Sequence, residues 1–162
     1  SPVVFPFGNR LGMIYAGHNY KTTAVPAGFY LVGAVSDDGV RWEKLADPVL
    51  SPAQDPWFLR NGVAEAEVLH GPDGLYYLLF TGALGDDEKR LIGVARSAAP
   101  FGPYEVRRTP LLEGTKGMFD HEGVLAPTVI LDGATLRMWY LTSDGDKHMT
   151  GYAEIPWPLT GW

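Results

Sequence analysis

Cysteine, clustered basic residues and long apolar runs are all missing from this 162-residue sequence. The absence of cysteine excludes disulfide bonds and thiolate chemistry, and it leaves the redox compartment undetermined. The 13 Lys and Arg are scattered through a chain of net charge −6, so nucleic acid is not an expected partner. No stretch resembles a signal peptide or a membrane span, so no membrane partner is expected. Because the first residue is Ser rather than Met, removal of a leader or a larger upstream portion stays an alternative, and localisation is left open.

Long runs of Ala, Leu, Glu and Lys at helical spacing are also absent, whereas residues typical of strands and turns are abundant. The chain contains 20 Gly, 13 Pro, 5 Trp, 8 Tyr and 7 Phe. This composition favours short strands joined by tight turns. With 46% apolar and 20% charged residues, the chain is long enough for one globular domain with a core. We therefore expect a single all-β domain.

One hairpin pattern occurs three times. The segment SPVVFPFGNRLGMIYAG, from Ser1, aligns without a gap with APTVILDGATLRMWYLT, from Ala126, and EAEVLHGPDGLYYLLFT, from Glu65, fits the same frame with small shifts at the turn. Each hairpin is followed by a strand of small residues, a turn containing Gly and an aromatic residue: YLVGAVSDDGVRW, RLIGVARSAAPFGPY and HMTGYAEIPWPLTGW. An outer segment, DPVLSP or TPLLEG, follows only the first two. The chain therefore contains two full copies of a four-strand unit and most of a third.

A four-stranded antiparallel unit of about 60 residues is typical of a β-propeller blade, although kelch-like and sandwich arrangements of similar period compete. We predict an incomplete ring in one domain or fragment, with a blade over residues 1–52, a second over 53–114 and a partial blade over 115–162. Residues 3–5, 67–69 and 128–131 should form the innermost, equivalent strands. The remainder of a longer chain or a second copy should cover the exposed faces and edges. A second copy would either close a six-bladed ring, with three blades from each chain, or pack side by side with the first.

Loop lengths distinguish the two faces of such a propeller. One face carries tight turns at residues 37–39, 71–74 and 132–133, whose aspartates are expected to be structural. The other carries the longer loops, and binding residues usually lie on longer loops held by a rigid scaffold. Glu65, Glu67 and Glu122 lie on this long-loop face, near the starts of innermost strands. Desolvation there would raise the pKa of a carboxyl group, as a general acid requires.

Three stretches together resemble a known group of enzymes: GVAEAEVLHGPDGLYYLLFTG, IGVARSAAPFGPY followed by TPLL, and SDDGVRWEKLADPVL. They are similar to the five-bladed propeller glycosidases, most closely glycoside hydrolase family 43, with families 32 and 130 as relatives of the same architecture. The likeness spans nearly the whole chain. It implies a glycoside hydrolase that acts on an oligo- or polysaccharide by acid/base carboxylate chemistry.

In family 43 the general acid is a Glu that precedes a small residue and a Pro, ahead of a Tyr-Tyr-Leu strand. Glu65-Ala66 matches this pattern, so the resemblance implies that Glu65 is the acid, although Glu67 stands where Pro is expected. The family's Asp base precedes a Pro on the first blade, where this chain has Ser1-Pro2. The resemblance therefore provides no base.

Glycosidic cleavage needs a second carboxylate about 5 to 10 Å from the acid. The candidates within the chain are Glu67, Asp120 and Glu122. Glu67 is too near Glu65 in sequence to face it across a sugar, whereas Asp120 and Glu122 come from the adjacent blade, which is the better geometry. For each, a carboxylate bonded to backbone at a loop or strand start is the alternative interpretation.

Side chains suited to binding a sugar lie on the same face. Trp57 and Tyr20 could stack on a sugar ring, because the apolar faces of sugars pack well on aromatic rings. His18 and His121 could bind sugar hydroxyls. No metal site and no cofactor are predicted, although a Ca²⁺ ion could occupy the central channel. Two alternatives to an enzyme stay open, a noncatalytic carbohydrate-binding propeller and a structural propeller fragment completed by oligomerisation.

Overall fold

The computed structural model describes residues 2–19, 28–83, 85 and 88–162, which form strands and one short 3₁₀ segment, Trp57–Leu59. Sheet 1 consists of β1 (Val3–Phe7), β2 (Arg10–Asn19), β3 (Gly28–Ser36) and β4 (Glu43–Leu50). Sheet 2 consists of β5 (Ala64–His70), β6 (Tyr76–Gly82), β7 (Leu91–Ser97) and β8 (Glu105–Val106). Sheet 3 consists of β9 (Val124–Asp132), β10 (Thr135–Ser143) and β11 (His148–Pro156). Among the described residues, no helix has the length and apolar character needed to cross a membrane.

The strands of each sheet are antiparallel and follow one another in chain order from one edge to the other. β1, β5 and β9 occupy corresponding edges, and β5 contacts both β1 and β9. The prediction of an all-β chain made of propeller blades is confirmed, and the three sheets do not close into a ring. The division of the chain at residues 52 and 114 stays a prediction.

The tight turns on one face are held by their own side chains. Asp38 Oδ1 accepts the N–H groups of Arg41 and Val40, each at 2.8 Å, and these bonds lower the pKa of Asp38. Asp73 accepts the Tyr77 hydroxyl at 2.6 Å. These aspartates have the structural role expected from the sequence.

Sheet 2 packs against sheet 1 on one face and against sheet 3 on the other, so both of its faces are buried. Successive side chains of a strand point to opposite faces of the sheet and therefore enter different cores. The core between sheets 1 and 2 includes Phe5, Ile14, Leu31, Phe58, Leu78 and Phe80. The core between sheets 2 and 3 includes Tyr77, Leu79, Ile92, Val94, Leu136 and Met138. Alternate residues of β6 thus belong to different cores, and this double burial fixes how sheet 2 sits between its neighbours.

Two glycines join each sheet to the next by the same backbone contact. Gly62 forms a parallel bridge with Phe29, and Gly123 forms one with Arg90. Their φ angles are +112° and +125°, and a Cβ would lie 2.5 Å from the Phe29 nitrogen at Gly62 or 2.8 Å from the Arg90 nitrogen at Gly123. Only glycine allows both this backbone conformation and this approach. The bridges set where β5 and β9 begin, and hence where their first side chains lie.

The face of sheet 3 that points away from sheet 2 exposes a group of large apolar side chains. They are Ile130 (56% exposed), Trp139 (37%), Leu141 (37%) and Tyr152 (44%). Within β10 the exposed residues alternate with fully buried ones, as expected for a sheet with one packed and one open face. The outer face of sheet 3 is therefore patterned like a surface that packs against another sheet.

Candidate functional site

The inner strand of sheet 2 begins with a β-bulge that contains Glu65. Ala64 pairs with Thr81 and Glu67 with Leu79, so Glu65 and Ala66 together lie opposite Phe80 alone. Glu65 has φ +52°, a left-handed conformation that costs a non-glycine residue roughly 1 to 3 kcal/mol. Bulges redirect side chains and are common beside active sites. Glu65 therefore leaves the ordinary alternation of the strand.

Sheet 3 has the same irregularity at the same place. Leu125 pairs with Leu141 and Thr128 with Trp139, and Ala126, which lies between, has φ +50°. Glu65 and Ala126 thus occupy corresponding positions in neighbouring sheets, as the alignment of their hairpins predicts. Of these two positions, the one in sheet 2 carries an ionisable side chain and the one in sheet 3 a methyl group.

These two positions are hydrogen-bonded to each other through Thr81. The Thr81 hydroxyl donates to Glu65 Oε2 at 2.7 Å, and the Ala126 N–H lies 3.1 Å from the same carboxylate oxygen and 2.9 Å from the Thr81 hydroxyl oxygen. Thr81 is 1% exposed. Donors from two sheets therefore fix the direction of the Glu65 carboxylate.

Glu67 has a different environment, although it is two residues away. Its side chain is partly buried and has no hydrogen bond or ion pair with any residue that the structure describes. Burial raises the pKa of Glu67, because the charged form loses solvation without gaining a partner. The direction of this pKa shift is the one that a general acid requires.

The Asp120 carboxylate is hydrogen-bonded within the loop that precedes β9. Asp120 is 5% exposed and accepts the Thr115 N–H at 2.9 Å. Burial, together with the charge and hydrogen bond of Asp120, raises the pKa of Tyr140. Asp120 therefore fastens the loop to β10, opposite the bulge at Ala126.

Glu122 and His121 belong to an ion-paired cluster on the long-loop face. Glu122 Oε1 lies 3.2 Å from Lys89 Nζ and 3.1 Å from His121 Nε2. His121 Nδ1 donates to the Met118 carbonyl oxygen at 2.8 Å, and Lys89 Nζ donates to the His121 carbonyl oxygen at 2.6 Å. The Glu122 side chain is 43% exposed, and it lines a cleft of about 440 Å³ with Ser143 and His148. Such exposed pairs contribute about 0 to 1 kcal/mol, so Glu122 stays available to a ligand.

The remaining residues proposed to bind a sugar do not meet at the bulge. Trp57 lies in the 3₁₀ segment and lines a second cleft, and His18, near the end of β2, contacts the Phe29 ring at 4.7 Å. Tyr20 lies outside the described residues. Among the residues that the structure describes, no group of three His, Cys, Asp or Glu side chains is placed to hold a metal ion.

Sequence reasoning missed Thr81, whose hydroxyl completes the network at Glu65. The pattern of β6 marks Thr81 only as the polar residue that ends an apolar run. A register alignment of β5 with β6 would have placed it beside the bulge. Its contact with Ala126, 45 residues away, depends on how sheets 2 and 3 pack.

No protein-family model matches the chain, and no curated protein matches it either. Its structure is similar to that of Zg3597, a family 117 glycoside hydrolase of the marine bacterium Zobellia galactanivorans, with a TM-score of 0.79 and 18% identity over 94% of this chain and 51% of that one. It is also similar to the GH32 β-fructofuranosidase BmSUC1 of Bombyx mori, with a TM-score of 0.73 and 20% identity over 95% of this chain and 33% of that one.

The chain thus spans about half or less of the length of these solved structures. At this level of identity the likeness shows a shared fold. The expected resemblance is confirmed to the extent that the structural neighbours are glycoside hydrolases with propeller-like folds. Assignment to family 43 and the number of blades in a complete ring stay predictions.

Proposed function

We propose that this chain carries the acid-bearing side of a glycoside hydrolase site, which acts on an oligo- or polysaccharide through carboxylate acid/base chemistry. The observation that carries the proposal is the β5 bulge, at which Thr81 and Ala126 hold the Glu65 carboxylate. A carboxyl group that protonates a leaving oxygen must be aimed at one atom, and fixed donors achieve this. The glycoside hydrolases among the structural neighbours support carbohydrate as the substrate class.

Glu65 is the proposed proton donor, because the bulge redirects it and two sheets orient it. Glu67 is the competing donor. Its raised pKa keeps Glu67 protonated to higher pH than an ordinary glutamate. No described residue forms a hydrogen bond or ion pair with its carboxyl group. The two residues are near enough in sequence that only one is expected to meet the leaving oxygen.

Glu122 is the better of the two candidates from the neighbouring sheet for the second carboxylate. Asp120 is buried and engaged with Thr115, whereas Glu122 is half-exposed and lines an open cleft. A carboxylate that activates water must be reachable by water and by the sugar. In this proposal, His121 and Lys89 orient Glu122.

Hydrolysis of aryl arabinosides, xylosides, fructosides and mannosides by the intact chain tests the proposal. Turnover that falls in both Glu65→Gln and Glu122→Gln supports it. If turnover survives in Glu65→Gln but is lost in Glu67→Gln, Glu67 rather than Glu65 is the proton donor. Turnover that is unchanged in all three variants contradicts a carboxylate mechanism at this bulge.

A noncatalytic carbohydrate-binding propeller is the second candidate function. One observation favours it: the sheet 3 position that corresponds to Glu65 is Ala126, so the described bulges provide one carboxylate rather than a facing pair. Glycan-array binding without turnover of any aryl glycoside would support this alternative.

A further inference from the structure

A cleft of about 360 Å³ opens on the long-loop face, apart from the β5 bulge. Its lining comes from the 3₁₀ segment, from the residues that lead into β7 and from the chain after β8: Trp57, Glu88, Lys89, Arg90, Leu91, Glu113 and Gly114. None of the residues in the Glu65 network lines it. The volume falls in the lower part of the range of about 300 to 1,000 Å³ that is usual for small-molecule sites.

The apolar side of this cleft is the indole of Trp57. The Trp57 ring packs edge-on against the ring of Phe58, its fully buried neighbour, with 5.9 Å between the ring centroids. The backbone is also fixed, because the Arg60 N–H donates to the Trp57 carbonyl oxygen at 3.1 Å. Trp57 is nevertheless 43% exposed. A half-exposed aromatic ring that packs on a buried neighbour is well suited to stack against the C–H face of a sugar.

The polar side of the cleft has one carboxylate that bonds to none of the residues that the structure describes. Three of its four charged side chains already bond within the protein, namely Glu88, Lys89 and Arg90. The fourth, Glu113, has no hydrogen bond or ion pair with any described residue. The indole N–H of Trp57 likewise has no acceptor in the described part of the chain. Within the described part of the chain, the cleft therefore offers an aromatic surface, one acceptor group without a donor and one donor group without an acceptor.

We infer that this Trp57–Glu113 cleft is a binding subsite for a neutral sugar ring, separate from the Glu65 bulge. The ring stacks on the Trp57 indole, and its hydroxyls donate to the Glu113 carboxylate. A uronic acid is disfavoured, because its carboxylate would lie beside that of Glu113, and the two described cations of the cleft, Lys89 and Arg90, already bond to Glu122 and to backbone carbonyl oxygens. The choice of a sugar as ligand rests on the proposed function, whereas the location of the subsite does not depend on which residue is catalytic.

Equilibrium binding to the intact chain tests the inference, with intrinsic tryptophan fluorescence and calorimetry as readouts. The probes are xylotriose, arabinotriose and mannotriose as neutral ligands, and trigalacturonate as the acidic one. At least one neutral probe should bind, and Trp57→Ala and Glu113→Gln should each weaken that binding about tenfold, as expected for loss of a stacking contact or a charged hydrogen bond. Trigalacturonate should bind more weakly than the neutral probes and should gain affinity in Glu113→Gln.

Trp139→Ala is the matched control, since Trp139 is exposed to a similar degree but lies on the outer face of sheet 3. It should leave binding of the neutral probe unchanged. The inference is overturned if no neutral probe binds at millimolar concentration, if Trp57→Ala binds as the parent does, or if trigalacturonate binds best. Glu65→Gln should keep full binding. If Trp57-dependent binding is present but turnover is unchanged in Glu65→Gln, Glu67→Gln and Glu122→Gln, the catalytic proposal fails while this inference stands.

Discussion

The Thr81 hydroxyl donates to the carboxylate of Glu65 at 2.7 Å, and the same hydroxyl oxygen lies 2.9 Å from the backbone N–H of Ala126 in the neighbouring sheet. Thr142, the penultimate residue of the corresponding strand of sheet 3, uses its hydroxyl differently and donates to the Gly123 carbonyl oxygen at 2.7 Å. The same residue type therefore closes a backbone contact in sheet 3 and orients a carboxylate in sheet 2.

Replacing Thr81 by Val should misalign Glu65 while keeping the shape of the side chain. We expect kcat on aryl glycosides to fall about tenfold with KM nearly unchanged, because the lost bond acts on positioning rather than on substrate binding. Thr81→Ser should restore most of the rate. Thr142→Val is the control for loss of a buried hydroxyl; if it lowers kcat as much as Thr81→Val does, the effect is one of stability.

Glu65→Gln should lower the rate on substrates with poor leaving groups by about 10² or more, because these need protonation of the departing oxygen. Substrates with good leaving groups should be affected far less. The urea midpoint should change little, since the Gln oxygen still accepts from Thr81. A rate loss that is equal for good and poor leaving groups would argue against Glu65 as the donor.

Glu67 should make stability depend on pH. Burial raises its pKa in the folded state above the ordinary value of 4.5, so the folded chain holds this proton more tightly than the unfolded chain. The resulting stabilisation is present at low pH and is lost as the pH rises through the folded-state pKa. Glu67→Gln should therefore gain in melting temperature relative to the parent between pH 4 and 7, whereas a constant difference across this range would show that Glu67 is not desolvated.

Gly62→Ala should destabilise the chain by at least about 2 kcal/mol, because it combines an unfavourable φ with a clash against the Phe29 backbone. Gly133→Ala is the matched control: its φ is +57°, but nothing lies within 4 Å of a Cβ placed there. The control should cost only about 1 kcal/mol. Urea unfolding of both variants measures the difference, and equal losses would mean that the bridge between Phe29 and Gly62 does not hold sheets 1 and 2 together.

The outer face of sheet 3 should drive association of the chain at micromolar concentration. Trp139→Ser combined with Leu141→Ser should weaken that association, since both side chains are exposed on this face. Light scattering checks the prediction. A monodisperse parent species at the 17.7 kDa of one chain would contradict it.

The sequence alone determined the strand content, the hairpins and the corresponding positions of Glu65 and Ala126. These features are local: turns at Gly8 and Gly133 need a left-handed residue, and side chains that alternate along a strand face opposite sides of a sheet. The glutamate and the alanine could be aligned because a hairpin of nearly constant length follows each of them.

Only the tertiary structure decided the environment of each acidic residue. Asp120, Glu122 and Glu67 are similar in chemistry, but the first is buried in a loop, the second is ion-paired at a cleft and the third is desolvated without a partner. Neither Thr81 nor Glu113 was predicted as a site residue from the sequence. The contact of Glu65 with the Ala126 backbone joins residues 61 positions apart, and no local pattern encodes it, because it exists only once two cores have packed on opposite faces of sheet 2.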